Sequence, residues 1–457
     1  MRVASLLAPD VEEILRTDPA LVAELVEELH PADLADLLAA LDDELAVRML
    51  AALPLEAAAA TLDSADRARR VEIFRALDPA LAARVANKMS PDERADLFAE
   101  LPEELRADVL ARMEREEVKD VRQLLKYPET SAGGLMTTEF VALASDVPVE
   151  RAIEEVRKKA PEMETIYDAY AVDPNGTLLG SVSLRNLVLA RPGQPLHAIM
   201  DPTVISVPPE TDREEVARLF AKYDLLAMPV VDATTRRILG IVTVDDVVDV
   251  IEAERTEDIQ RLAAVQPIEE AYFATGFWTF VRKRASWLVL LFVEEMFTSN
   301  AINHYEWVEK AVLALSLYVP LIISSGGNSG SQSSALIVRA LAVGDVKVRD
   351  WGRIVSREIL LGAVLGCILA GIGLFRVTLP FPFGLGNPLG VAIVVAGALV
   401  GVVMLGSVVG AVLPIIFRRL GFDPAVSSAP FIASMVDVLG LVIYFNVAIA
   451  VLKIHHP

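Results

Sequence analysis

The chain has 457 residues and a net charge of -21, from 42 Lys and Arg against 63 Asp and Glu, yet its mean hydropathy is positive at +0.44. The charge and the apolar residues therefore lie in different places: residues 282–457 hold 13 basic and 9 acidic side chains, which leaves 29 and 54 for residues 1–281. A strongly acidic soluble part argues against nucleic acid as a partner, because binding phosphates needs a basic surface. Cations are the natural partners of such a surface.

The first 130 residues contain a helical repeat. The stretch PADLADLLAALDDELAVRML (31–50) matches PDERADLFAELPEELRADVL (91–110) at a shift of 60, in a region rich in Ala and Leu at helical spacing. This predicts an α-helical solenoid over residues 1–130. Asp92 and Asp96 lie four apart on one helix face, so they present two carboxylates either to a bridging ion or only to solvent. The opening residues lack the apolar core of a signal peptide.

A second repeat covers residues 131–250, in copies of about 131–199 and 200–250. The stretch MTTEFVALASDVPVERAI (136–153) recurs as MDPTVISVPPETDREEVA (200–217), and GSVSLRNLV (180–188) recurs as GIVTVDDVV (240–248). Each α/β copy resembles a cystathionine-β-synthase-type (CBS) regulatory domain. The resemblance implies a nucleotide such as ATP, with its ribose near Ser183, Asn186, Thr243 and Asp246. The alternative is that these residues only cap helices, with Asn186 and Asp246 opening them.

The helix predicted near 246–265 is unusually acidic and begins a connecting segment, 246–276, that leads to the apolar part of the chain. Its carboxylates are Asp246, Asp249, Glu252, Glu254, Glu257 and Asp258. Like charges on one helix repel, and a shared divalent cation reverses that repulsion. We therefore expect this helix to respond to cation concentration and, as a linker beside the pore, to help open or close it.

Residues 277–457 read as a transmembrane domain of five helices. The apolar stretches lie near 285–303, 308–325, 356–376, 389–417 and 427–452, and about 20 apolar residues suffice to span a bilayer. Basic residues precede the first stretch, follow the second and follow the fourth, so the positive-inside rule places those three loops in the cytoplasm. The chain is thus expected to begin inside the cell and to end outside it.

Three ionisable residues inside these stretches are candidates for function, because a carboxylate in mid-bilayer costs roughly 2.5 to 3.5 kcal/mol. Asp437 lies between Pro430 and Gly440 in the last stretch and is predicted to be a cation ligand; the alternative is a structural hydrogen bond to a neighbouring helix. Glu294 and Glu295 are adjacent in the first stretch, so they point about 100° apart and cannot both face one cavity.

The segment SSGGNSGSQSS (324–334) is rich in glycine and hydroxyl side chains and is predicted at the cytoplasmic end of the second span. Irregular backbone persists at membrane depth only where it lines water or protein, although an ordinary flexible loop has the same composition. We interpret Asn328 and Gln332 within it as pore-associated, with an open role.

The order of these parts, together with SGGNSGSQ (325–332), RRLGFDPA (418–425) and PFIASMVDVLGLVIY (430–444), resembles the MgtE family of magnesium transporters. The resemblance implies a homodimer in the cytoplasmic membrane, with Mg²⁺ as substrate and regulator. It also implies an ion path in which Asp437 selects the ion beside the backbone of Ala433 and Gly440. Cytosolic magnesium sites that hold the closed state would use carboxylates among Asp92, Asp96, Asp224, Asp246, Asp249, Glu254, Glu257, Asp258 and Asp423.

Two departures from the family pattern affect these expectations. Ala429 stands where the family usually has Asn, so one polar contact to the water shell of the ion is missing. Glu294 and Glu295 replace residues that are normally neutral, and they either add a metal ligand or strengthen dimer contacts. Ion preference and the role of this acidic pair therefore stay open.

The residue chemistry favours a potential-driven magnesium channel closed by cytosolic Mg²⁺. Mg²⁺ keeps its water shell, which one carboxylate per subunit can hold, and a potential of about 100 mV contributes roughly 4.6 kcal/mol to moving two charges. Neither a P-loop nor an HExxH motif is present in the sequence. The single cysteine, Cys367, excludes a Cys-based zinc site. The sequence therefore does not predict an enzyme. The alternatives are a broader transporter of Mn²⁺, Co²⁺ or Zn²⁺ and a membrane-tethered nucleotide sensor without transport.

Overall fold

A computed structural model describes residues 2–18, 21–26, 29–268, 272, 273, 275–378 and 388–455. Parts of the predicted connecting segment (269–271 and 274) and of the predicted outside loop before the fourth span (379–387) lie outside the described residues. The chain forms two compact units, Met1–Glu252 and Ala253–Pro457, which we describe separately.

Short helices build the first part of unit 1. They are α1 (Arg2–Thr17), α2 (Leu21–Val26), α3 (Pro31–Ala40), α4 (Asp43–Ala52), α5 (Leu55–Asp63), α6 (Arg67–Ala76), α7 (Pro79–Ala86), α8 (Pro91–Glu100), α9 (Glu103–Leu110) and α10 (Arg115–Leu124). The two copies of the sequence repeat form the same elements, since α3–α4 and α8–α9 begin at Pro31 and Pro91. Asp caps such as Asp42 and Asp78 accept hydrogen bonds from the first free amides of their helices. Leu and Ala side chains on the inner faces form a continuous core.

The second part of unit 1 is the pair of α/β repeats. Its elements are β1 (Val141–Ala144), α11 (Val149–Lys159), β2 (Asp168–Val172), β3 (Leu178–Ser183), α12 (Leu184–Leu189), α13 (Arg213–Tyr223), β4 (Ala227–Val231), β5 (Ile238–Thr243) and the first half of α14 (Val244–Leu262), whose residues after Glu252 belong to unit 2. Strand β2 pairs parallel with β1 and antiparallel with β3, and β4 pairs antiparallel with β5. The acidic helix predicted near 246–265 is α14.

The helical region and the second α/β repeat share one hydrophobic core. Ala95 of α8 and Leu124 of α10 pack in the same cluster as Val216, Phe220 and Val247. The acidic side chains at the start of α8 are thereby held close to the start of α14. This contact within unit 1 positions the first candidate site.

Unit 2 contains the long apolar helices. They are α15 (Phe277–His304), the short α16 (Glu306–Ala311), α17 (Val319–Ala342), α18 (Trp351–Thr378), α19 (Pro388–Arg419) and α20 (Ala429–Leu452). Among the described residues, α15, α18, α19 and α20 are long and apolar enough to cross a membrane. The long apolar helices expected of this part are thus present, whereas a count of five spans is not established by length and composition.

The prediction for the second span was wrong in position. The helix covers 319–342 rather than 308–325, and SSGGNSGSQSS lies in its interior instead of at its end. The glycines allow close helix packing: a Cβ on Gly410 of α19 would lie 2.1 Å from the carbonyl oxygen of Gly330, and one on Gly406 would lie 2.3 Å from that of Gly326. The serine hydroxyls satisfy one another and the backbone, as in the 2.7 Å contact between Ser329 Oγ and Ser407 Oγ. Small residues at helix contacts explain why this helix is less apolar than its neighbours.

This packing predicts that Gly410→Ala destabilises unit 2 by about 2 kcal/mol or more, because the added methyl group meets backbone that cannot rotate away. Gly371→Ala on α18 is the matched control, since nothing lies within 4 Å of a Cβ at that position. The thermal unfolding of both variants in detergent measures the difference. Equal unfolding temperatures for the two variants would contradict the proposed close packing of α17 and α19.

Candidate ion path and acidic interface

Asp437 lies in the interior of α20, where it is half-buried. Helix α17 approaches it through glycine: a Cβ on Gly327 would lie 3.6 Å from Asp437 Oδ1 and 3.2 Å from the Cβ of Ala433. Gly440 lies one turn further along α20, where a Cβ would be 3.0 Å from Val402 Cγ1 of α19. The carboxylate of Asp437 therefore lies against the backbone of Gly327, where that residue places no side chain between α17 and α20.

The acidic pair of the first apolar helix lies within electrostatic range of Asp437. Helix α15 packs against α20; Glu294 on it is half-buried, and Glu295 is exposed. Glu294 Oε2 and Thr298 Oγ1, one turn apart, are buried without a hydrogen-bond partner among the described residues. The two glutamates thus differ in environment, as expected for adjacent helical positions, but metal ligation and dimer contact both stay open.

Asn328 and Gln332 are exposed on α17. The Asn328 amide donates to Ser324 Oγ at 3.3 Å. The backbone of Ala429, the residue that departs from the family pattern, begins α20 and accepts a hydrogen bond from Ser331 Oγ at 3.2 Å.

The second candidate site lies in unit 1, where Asp92 on α8 and Asp246 on α14 come together. Asp92 Oδ1 is buried and has no hydrogen-bond partner in the described part of the chain, whereas Asp246 Oδ2 accepts a hydrogen bond from Thr243 at 2.7 Å. Burial raises the pKa of Asp92 well above its usual range, and the charges of Asp246, Glu93 and Glu164 add to the effect. Sequence reasoning missed Glu93 and Glu164, because only the fold brings them to this interface.

Further carboxylates border the same interface. Burial raises the pKa of Asp246 to about 7, and that of Asp96 also to about 7. The pKa of Asp249 is raised by burial and then by the charge of Glu93. Asp63, which the sequence did not single out, also has a pKa raised to about 7 by burial. Such a concentration of buried acids repels itself and is stabilised by bound protons or cations.

Near the end of α14, unlike at the acidic interface, carboxylates are paired with a basic side chain. Arg261 forms ion pairs with Glu257 on the same helix and with Asp423, which caps the short helical turn before α20. Glu254 and Asp258 also have electrostatic or hydrogen-bonded partners. Asp224 is exposed at the left-handed cap of α13. The guanidinium of Arg261 thus already neutralises Glu257 and Asp423, two of the carboxylates from which cytosolic magnesium sites were expected.

The candidate nucleotide residues occupy equivalent positions in the two α/β repeats. Ser183 caps α12 by accepting a hydrogen bond from the backbone amide of Asn186 at 3.2 Å, so the serine rather than Asn186 opens that helix. Helix α14 begins at Val244, so Asp246 does not open that helix either. Thr243 is buried and bonds to the Asp246 side chain, whereas Asn186 is exposed. Serving as a cap does not exclude contact with a ribose, so both alternatives remain.

Within the described ranges, no group of three or more His, Cys, Asp or Glu side chains has the geometry to hold a metal ion directly. A cation that keeps part of its water shell, as Mg²⁺ does, needs fewer direct protein ligands than such a group provides.

Three family models match the chain: a divalent cation transporter domain (MgtE) at 319–447, the MgtE intracellular N domain at 29–130, and CBS domains at 132–193 and 196–253. The magnesium transporter MgtE of Thermus thermophilus is 45% identical over 329 residues, which is 72% of each chain. That of Enterococcus faecalis is 36% identical over 73% of this chain and 71% of its own.

Two solved structures each resemble just over half of this chain. The soluble part of a magnesium transporter is 31% identical with a TM-score of 0.52, covering 55% of this chain and 99% of that one. The cytosolic domain of the Mg²⁺ channel MgtE, solved in complex with ATP, is 38% identical with a TM-score of 0.50, covering 53% of this chain and 99% of that one.

The acidic interface predicts a pH dependence. The pKa of Asp246 is about 7 in the folded chain and about 3.9 in an unfolded one, so the folded state binds more protons between these values. The stability of unit 1 should therefore fall as pH rises from about 4 to about 7 and then level off. Calorimetry of the full chain without divalent cations, at pH 6 and pH 8.5, measures this fall.

Asp92→Asn removes one of the repelling charges, so it should flatten this pH dependence. Asp10→Asn is the control, because Asp10 is exposed on α1. An unchanged pH profile in the Asp92 variant would show that the carboxylates do not interact.

Proposed function

The chain belongs to the MgtE family of magnesium transporters, and on that premise we propose that it carries Mg²⁺ across the cytoplasmic membrane, driven by the membrane potential. The observation that carries the proposal is a carboxylate, Asp437, inside an apolar helix and against the side-chain-free face of Gly327. A carboxylate inside a membrane-spanning helix costs free energy, and such residues are usually functional. The curated relatives are named as transporters, which supports a role without catalysis.

The ion path is proposed to run past Asp437 and the backbone of Ala433 and Gly440, in a homodimer. Two Asp437 carboxylates, one from each subunit, would balance the charge of one divalent cation. The exposed amides of Asn328 and Gln332 on α17 supply hydrogen-bonding groups for the waters of that cation. A potential of about 100 mV contributes roughly 4.6 kcal/mol to moving its two charges inward.

The proposed membrane topology has five spans, with α17 as the second. Its hydroxyl groups bond to neighbouring helices, as in the contacts of Ser329 and Ser331, and a helix whose polar groups are satisfied in this way can lie within the bilayer. Five spans place the beginning of the chain in the cytoplasm and its end outside, in agreement with the basic loops.

Closure is proposed to follow from cytosolic Mg²⁺ bound at the acidic interface of α8 and α14. The orphaned Asp92 oxygen and the mutual repulsion of Asp92 and Asp246 support this, because a divalent cation there would replace repulsion by attraction. A cation shifts the equilibrium only by binding the closed form more tightly. At the end of α14, Mg²⁺ would have to displace Arg261 from Glu257 and Asp423.

ATP is proposed as a ligand of the α/β repeats, near Ser183, Asn186, Thr243 and Asp246. The support is the solved relative in complex with ATP. A broader selectivity that includes Mn²⁺, Co²⁺ or Zn²⁺ is the second candidate, since Ala429 offers only its backbone where the family usually has an amide side chain.

The proposed ion path predicts that transport depends on Asp437. In liposomes with a negative interior potential, Asp437→Asn should lower Mg²⁺ uptake about tenfold or more, because it removes a charge-assisted contact to the ion. Glu306→Gln is the control, since Glu306 is an exposed acid paired with Lys310 outside the long helices. Uptake of Mn²⁺, Co²⁺ and Zn²⁺ in the same liposomes measures the selectivity. Undiminished Mg²⁺ uptake by the Asp437 variant would assign this carboxylate a structural role.

The proposed sensor predicts how cytosolic Mg²⁺ closes the ion path. Raising Mg²⁺ on the cytoplasmic face to millimolar levels should stop uptake by the natural chain. Asp92→Asn should raise the Mg²⁺ concentration needed for half-closure roughly tenfold, a typical size for a coupling between two sites. Asp10→Asn again serves as the control. If both variants close at the same Mg²⁺ concentration as the natural chain, the interface is not the sensor.

A further inference from the structure

A further carboxylate lies within the apolar helices, besides Asp437, Glu294 and Glu295, and has no role in the ion path described above. Glu358 is on α18, where its own side chain is 8% exposed while the next residue, Ile359, is 44% exposed. In the sequence, Glu358 is an acid inside the third apolar stretch and directly follows Arg357. An ionisable residue in such a place indicates a function and calls for a partner.

The partner of Glu358 is Ser333 of α17. Ser333 Oγ donates a hydrogen bond to Glu358 Oε2 at 2.7 Å, and Ser333 is itself 6% exposed. A hydrogen bond to a carboxylate is roughly twice as strong as one between neutral groups, and the surrounding apolar helices exclude competing water. This contact therefore ties α17 directly to α18, although both helices pack mainly on α19.

Helix α17 connects this contact to the candidate ion path. Ser331 and Ser334 donate to the carbonyl oxygens of Ala429 and Ser427, at the beginning of α20. Gly327 lies six residues before Ser333, about 9 Å along the helix, and faces Asp437. A rotation or slide of α17 would therefore change the space beside Asp437.

We propose that Glu358 is a positioning residue for ion transport, which acts through Ser333 to set the position of α17 beside Asp437. The inference rests on the proposed transport function. It assigns Glu358 no contact with the ion, so its effect must pass through the hydroxyl of Ser333.

The transport test uses the full chain in liposomes and measures Mg²⁺ uptake over a range of concentrations. Ser333→Ala and Glu358→Ala should each lower maximal uptake about tenfold, as expected for the loss of a hydrogen bond to a charged group. Glu358→Gln should retain most of the uptake, because its amide oxygen still accepts from Ser333. The double variant Ser333→Ala/Glu358→Ala should be no worse than either single variant, since both remove the same contact.

The control is Ser356→Ala, because Ser356 is exposed on α18 and its hydroxyl bonds only to the local carbonyl of Arg353 among the described residues. It should transport like the natural chain. Loss of uptake in Glu358→Gln together with normal uptake in Ser333→Ala would overturn the proposal, because Glu358 would then act through its own charge. Additive losses in the double variant, with lowered unfolding temperatures, would assign the pair to folding alone.

A second measurement does not depend on transport. In a Cys367→Ser background, Asn328→Cys places a thiol on the exposed side of α17, and a water-soluble methanethiosulfonate reagent reports its accessibility. Ser333→Ala should change the modification rate about tenfold, and Ser356→Ala should leave it unchanged. An unchanged rate in Ser333→Ala overturns the positioning role even if the natural chain takes up no Mg²⁺. A changed rate, together with absent Mg²⁺ uptake by the natural chain, contradicts only the proposed function.

Discussion

Polar groups within an apolar environment must find partners inside the protein, and in unit 2 this requirement falls on one helix. Helix α17 carries the hydroxyl groups that bond to α18, α19 and the beginning of α20, and its glycines let the backbone of α19 approach. Because the same helix presents Gly327 to Asp437, the packing of unit 2 and the shape of the candidate ion path have one origin. We therefore expect a shift of α17 relative to its neighbours to alter the space beside Asp437.

In unit 1, by contrast, carboxylates are buried close to one another, and Asp92 Oδ1 has no hydrogen-bond partner among the described residues. The shared core of the helical region and the second α/β repeat holds α8 against α14, and this packing buries Asp92 beside Asp246. Hydrophobic burial thus stabilises an arrangement that charge repulsion opposes. An interface of this kind is sensitive to protons and cations, because either one relieves the repulsion without any change in the core.

The two sites use carboxylates in different ways. At Asp437 the acid stands against a glycine, whereas at the interface Asp92 is buried within electrostatic range of Asp246. Near the end of α14 the acids are already paired, since Arg261 binds both Glu257 and Asp423. The number of acids in the sequence is therefore a poor guide to the number of cation sites, because a neighbouring guanidinium can neutralise them.

The sequence by itself determined the helical repeat, the paired α/β repeats, the apolar helices and the acid at Asp437, because periodicity, internal repetition and isolated charges are local properties of the chain. The position of α17 was missed, since its buried serines and glycines look like a loop until neighbouring helices supply their partners. Only the tertiary structure brought Glu93 and Glu164 to Asp92, placed Arg261 between two acids and joined Glu358 to Ser333. Each of these contacts links residues distant in sequence, and no local pattern encodes which distant side chain packing will bring within reach.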